Sequence, residues 1–267
     1  MSGYGSAAAA VFLRDFRLWK SYRARWITTV FTALAGTTLF YYISRLVNSE
    51  AVGSADEYFG FVVVGTVILE VLTSTLSAPV ATLRSELLTG NFERMVVSPF
   101  GPIAAISAMM MFPIVLGLAV GVITVGFATL AFGLAIQFPG LLLTIPVALL
   151  GTLAFAPFGV AIGTLTLTFK GTNAGAALII TVLSIVGGLY FPTSLLPDWI
   201  QWARDVQPFT PAADLLRNTL VGTPLPVPAL DLVLRLAGFA ILAGPIALAV
   251  LATAIRYARR NGTITEY

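Results

Sequence analysis

The side chains that most often do chemistry in proteins are missing here, since the 267-residue chain contains no histidine and no cysteine. Their absence removes the commonest general base, the usual imidazole metal ligand, any catalytic thiol and any disulfide. What remains is carboxylate and guanidinium groups in two settings. Arg84, Glu86, Glu93 and Arg94 place four charges within eleven residues, around the apolar Leu87, Leu88, Phe92 and Met95. Such a mixed surface offers both polar and apolar contacts to a protein partner. Glu70 is different, standing alone in a long apolar run. A carboxylate there costs a few kcal/mol unless it faces protein, water or a partner.

The elements around these groups follow from composition. With 58% hydrophobic and only 10% charged residues, the chain lies far from the roughly one-quarter charge of soluble domains. It reads as an all-α integral membrane protein, because its apolar runs reach twenty residues or more and lack the ten-residue alternation of a β-barrel. One transmembrane domain is expected over residues 1–267, with spans at 26–46, 58–80, 102–132, 141–169, 174–190 and 230–254. Residues 84–99 are too polar for the hydrocarbon region and must lie in water or headgroups.

Before the first span, Phe12, Phe16, Trp19, Tyr22 and Trp26 recur at three- and four-residue steps, the signature of one helix face. Arg14, Asp15, Arg17, Lys20 and Arg25 occupy much of the remainder. Residues 11–25 fit an interfacial amphipathic helix or a positive-inside anchor. Residues 191–222 combine Pro192, Pro197, Pro208 and Pro211 with Trp199, Trp202, Asp214 and Arg217. That mixture is too polar to span and too aromatic for a free loop, and it predicts short, partly re-entrant helices at the membrane boundary.

Orientation comes from Lys and Arg. With both termini in the cytoplasm, eleven of the fifteen basic residues lie inside and only Arg45, Arg204, Arg217 and Arg235 outside. Residues 84–99 then face the cytoplasm and 191–222 the exterior. Glu70 fits either a substrate path or gate, or a protonated or paired structural residue at the bundle interface. The 191–222 segment fits an outer gate, an aromatic anchor, or both.

Two stretches resemble a known family. Gly90, Asn91, Phe92, Glu93, Met95, Val96, Ser98 and Pro99 resemble the segment between the second and third spans of type-2 ABC exporter permeases, whose usual core is Gly-Thr-Leu-Glu; Asn91 and Phe92 depart from it. Gly188, Phe191, Pro192, Leu196, Pro197, Trp199, Pro208, Pro211, Leu215, Arg217, Leu220 and Gly222 resemble the family's signature before its last span. The resemblance implies six spans, a cytoplasmic coupling helix and an extracellular re-entrant hairpin. It also implies an ATPase-coupling group of Arg84, Glu86, Gly90, Phe92, Glu93 and Arg94, and a pathway or gate group of Glu70, Phe191, Pro192, Pro197, Trp199 and Arg217. A homodimer in the cell membrane, docked to two ABC ATP-binding subunits, is the implied assembly.

The only lysines, Lys20 and Lys170, do not follow a glycine, so no Gly-Lys-Ser/Thr phosphate cradle exists and the chain is expected to bind no cofactor and to be no enzyme itself. ATP and magnesium would belong to the partner subunit. Nucleic acid is not an expected partner. Rival readings are a secondary transporter, which would show repeated interrupted spans, and a channel or membrane scaffold without an ATPase. An interior rich in Phe, Leu and Gly suits a hydrophobic or lipid-linked cargo such as a drug, glycolipid or polysaccharide.

Overall fold

The computed structural model describes residues 2–47, 53–91, 94, 98–169 and 173–260. Every helix named below is read from those residues, and helix is their dominant state. In order they are α1 (Ser2–Ser21), α2 (Arg23–Leu46), α3 (Ala55–Leu88), α4 (Pro102–Phe132), α5 (Phe138–Phe169), α6 (Asn173–Val186), α7 (Asp198–Gln201), α8 (Phe209–Val221) and α9 (Ala229–Arg260). Two 3-10 turns, Thr193–Leu195 and Trp202–Arg204, flank α7.

Among the described residues, α2, α3, α4, α5 and α9 are long and apolar enough to cross a bilayer. The expected fifth span is shorter than a crossing requires. α6 has 14 residues, about 21 Å at 1.5 Å per residue, against a hydrocarbon core of about 30 Å. Pro113, Pro146 and Pro157 sit inside α4 and α5, which continue through them.

α3 is the central helix, with 61% of its most apolar stretch buried against 17% to 28% in the other four. Its start is a reciprocal capping box, in which Ser54 N–H donates to the Glu57 carboxylate at 2.7 Å and Glu57 N–H to Ser54 Oγ at 3.3 Å. Arg45 at the end of α2 pairs with Asp56 at 2.7 Å across the turn. α3 also runs further than the sequence predicts. Arg84 and Glu86 lie on its last turns, and the chain leaves it through a turn at Gly90 with φ +70.

Close backbone approach holds the neighbours to α3. A Cβ at Gly117 or Gly121 of α4 would come within 2.7 and 2.8 Å of Ser74 and Val67. Gly159 of α5 faces the Thr75 carbonyl, and Gly65 of α3 faces the Leu189 carbonyl just beyond α6. Gly163, four residues from Gly159, has ordinary space in front of it. The core then fills with Leu72, Leu76, Phe155, Leu189, Phe209 and Leu236.

The glycine contacts are separable by mutation. Gly65→Ala drives a methyl into the Leu189 carbonyl and is expected to cost roughly 1–3 kcal/mol or more. Gly126→Ala on α4, with nothing within 4 Å, is expected to be neutral or slightly stabilising. Thermal unfolding of the detergent-purified chain compares the two; equal melting would remove the close-approach argument.

Candidate functional site

Two charged joints stand at opposite ends of α3. At its C-terminal end, Arg14 of α1 donates to the Glu86 carboxylate at 2.9 Å and to Asp15 at 2.9 Å. Glu86 is only 9% exposed. Its carboxylate therefore faces α1 and is not free on an open surface. Burial pushes the Asp15 carboxyl above the usual carboxylate range, against the pull of Arg14. The aromatic face of α1 meets protein as well: Phe12, Phe16 and Trp19 surround Phe112 of α4 with ring centroids 5.7 to 6.3 Å apart. Only part of the α1 cationic face, including Arg17 and Lys20, is exposed.

Of the expected coupling group, Arg84 is partly buried on α3, Gly90 makes the turn and Arg94 is exposed and helical. Phe92 and Glu93 lie outside the described residues. Arg14 and Phe112 belong to this region although no spacing in the sequence links them to Glu86.

At the other end, Arg217 of α8 is 3% exposed and all three of its guanidinium nitrogens are engaged. Nη2 donates to the Gly188 carbonyl at 2.8 Å and the Leu189 carbonyl at 3.2 Å. Nε donates to the Phe61 carbonyl at 3.3 Å, and Nη1 stands 3.8 Å from Asp214. The guanidinium also lies over the Phe61 ring, 3.4 Å from its centroid. One side chain thus ties α8 to α3 and to the end of α6. Above it opens a cavity of ≈ 530 Å³ lined by Phe61, Pro192, Thr193, Arg204, Asp214 and Arg217. Pro192 is therefore brought to Arg217. Phe191 is half-buried in the same loop, whereas Pro197 and Trp199 are exposed at α7.

Between the joints, α3 carries a polar stripe. Thr66, Glu70, Thr73, Ser77 and Arg84 recur at near-helical steps on its partly exposed face, while Ile68, Leu72, Leu76 and Leu83 face the core. Among the described residues, Glu70 has no hydrogen bond or ion pair. Tyr190, stacked on Phe40 of α2 at 5.6 Å, lies within its electrostatic reach.

Five helices long and apolar enough to cross a bilayer, with α3 the most buried of them, and a short helix and short boundary helices before the last, define a multi-pass membrane protein. The sequence profile of the ABC-2 type transporter family matches residues 5–221, and the chain belongs to that family. Nodulation protein J of Neorhizobium galegae is 29% identical over 110 residues, a stretch covering 41% of this chain and 40% of that protein. The likeness therefore spans less than half of that relative.

The Arg14–Glu86 joint makes a measurable claim. Arg14→Ala and Glu86→Ala are each expected to lower stability, and the double variant to lose less than the sum, with a coupling of about 1 kcal/mol. Denaturation of the four purified proteins gives the cycle; strict additivity would mean that the contact contributes nothing.

Proposed function

We propose that this chain is the permease of an ATP-driven exporter in the cell membrane, with both termini cytoplasmic and the 191–222 segment outside. Two copies face each other around a central path, each docked through residues 84–99 to an ABC ATP-binding subunit that holds ATP and magnesium. The basic-residue distribution supports this orientation, and membership of the family supports an ATP-binding partner. α6 and the loop to α7 together complete the fifth passage, as a short helix followed by a re-entrant turn, and α9 is the sixth.

The observation that carries the reading is the polar stripe of α3. Glu70, Thr73 and Ser77 cannot rest against lipid tails without cost, and this chain leaves Thr73 exposed and Glu70 and Ser77 partly so, whereas the Thr66 hydroxyl already donates to the Val63 carbonyl at 2.7 Å. An aqueous path shared with a second copy satisfies them. The stripe offers hydrogen bonds and the flanking surface is apolar, so the fitting cargo is amphiphilic, a lipid-linked or glycolipid-type molecule. The Arg217 joint with Phe191 and Pro192 forms the outer gate, and Trp199 and Trp202, both exposed, anchor it at the headgroups.

Glu86 contributes to coupling indirectly, by joining α1 to the lever end of α3. Direct docking falls to Glu93, Arg94 and the turn at Gly90. A channel or scaffold would not need an ATPase, so affinity purification decides between the classes. The full chain is expected to copurify with an ATP-binding subunit and to hydrolyse no ATP when isolated. Glu93→Arg is expected to abolish transport with membrane insertion unchanged, whereas Glu70→Ala slows transport about tenfold while the ATP-binding subunit still copurifies. Normal transport by both variants would remove the assignments of lever and path.

A further inference from the structure

A second concave surface lies away from the polar stripe. α4 and α5 splay apart over α3 and α8, leaving a groove of ≈ 380 Å³. Its floor includes Val71 of α3 and Ala212 and Leu216 of α8; its walls include Leu118 and Val125 of α4 and Ala148 of α5. The rim residues Val122, Ile145 and Leu149 are all more than half exposed, so the groove opens onto the outer surface of the bundle. Thr144 carries the one hydroxyl in the lining, and it is already used: it donates to the Gly140 carbonyl at 3.1 Å and bonds the Thr219 hydroxyl at 3.0 Å.

We infer that this groove is a binding site for a single acyl chain of a membrane phospholipid. Water would find almost no partner there, and an empty groove of this size forgoes the dispersion contacts of its lining. The groove is long enough to hold the chain of one leaflet. The α5 residues that line it run from Leu141, next to the 133–137 linker, to Phe155, about 21 Å along the helix. Half of a hydrocarbon core is about 15 Å. In the orientation proposed above this is the outer leaflet. The site differs from ordinary lipid contact because its floor is α8, where Ala212, Leu216 and Leu220 are buried within the protein. A chain seated there lies against the same helix that carries Arg217.

The full chain, reconstituted into phosphatidylcholine vesicles containing a phosphatidylcholine with a mid-chain diazirine, provides the test. After illumination, peptide mapping is expected to find label on α8 around residues 212–220 as well as on α4 and α5. Ala148→Phe, which fills the groove, should reduce the α8 label at least fivefold. Leu142→Phe, on the exposed face of α5 outside the lining, should leave it unchanged. Absence of α8 label in the wild-type chain overturns the proposal, as does undiminished label in Ala148→Phe. Because the chain has no native cysteine, Ile145→Cys reports on the other occupant: a disulfide between two copies would assign the groove to a protein interface. If Ala148→Phe does not accumulate, the wild-type map of α8 against the exposed face of α9 decides alone.

Discussion

A helix that stops at membrane depth leaves its last carbonyls without partners, and hydrocarbon supplies none. α6 has 14 residues among those described, and in the proposed assembly it stops in this way. Its own tail closes part of the deficit, with Gly187 N–H donating to Leu183 O at 2.7 Å, Gly188 to Ile185 at 3.1 Å and Leu189 to Ser184 at 3.1 Å. The next carbonyls, of Gly188 and Leu189, are taken by Arg217. A cation at a helix C-terminus also opposes the negative end of the macrodipole. The arrangement constrains everything nearby. α8 must lie against α3 and the end of α6 to deliver the guanidinium, Gly65 must lack a side chain to admit Leu189, and Asp214 must stay close enough to offset a buried positive charge.

The same logic makes α3 the mechanical centre. It is 34 residues long, about 51 Å, and charged groups secure it at both ends: Arg217 on the Phe61 carbonyl and Arg14 on Glu86. Between them, glycines of α4 and α5 bring neighbouring backbones into contact with it. A long helix gripped at both ends and packed along its middle transmits displacement with little bending, because dense interiors shift as units. In the proposed cycle, movement of the 84–99 segment reaches the outer hairpin through this one element.

Much of this architecture was legible in the sequence, and the limits have physical reasons. The spans over 26–46 and 102–132 match α2 and α4 to within a few residues, because a run of twenty apolar residues has few alternatives. The polar and aromatic mixture in 191–222 coincides with two 3-10 turns, the four-residue α7 and α8. The charged joints were not readable. Arg217 binds carbonyls, which no residue code announces, and one of them belongs to Phe61, 156 positions away. Arg14 sits far upstream of Glu86, on a helix whose aromatic face has the same periodicity whether it meets lipid or Phe112. The reach of α3 through Leu88 was missed because Arg84 and Glu86 look like loop residues by polarity, although they keep the helical step.

The contrast between Arg217 and Glu70 bears on which charges are structural. Both are ionisable groups in a setting where an unpaired charge is expensive. Arg217 has every nitrogen engaged and is closed off from the surface. Glu70, halfway down α3, has no such partner among the described residues and stands in line with three hydroxyls on the side of the helix that this chain leaves open. A carboxylate retained for packing would be expected to find a donor within its own bundle, as Glu86 does in Arg14. Its isolation, together with hydroxyls repeated at its own helical spacing, points to something outside the chain as its partner. In the proposed exporter, the cost of leaving it partly open is the cost of a surface that polar cargo or water must pass.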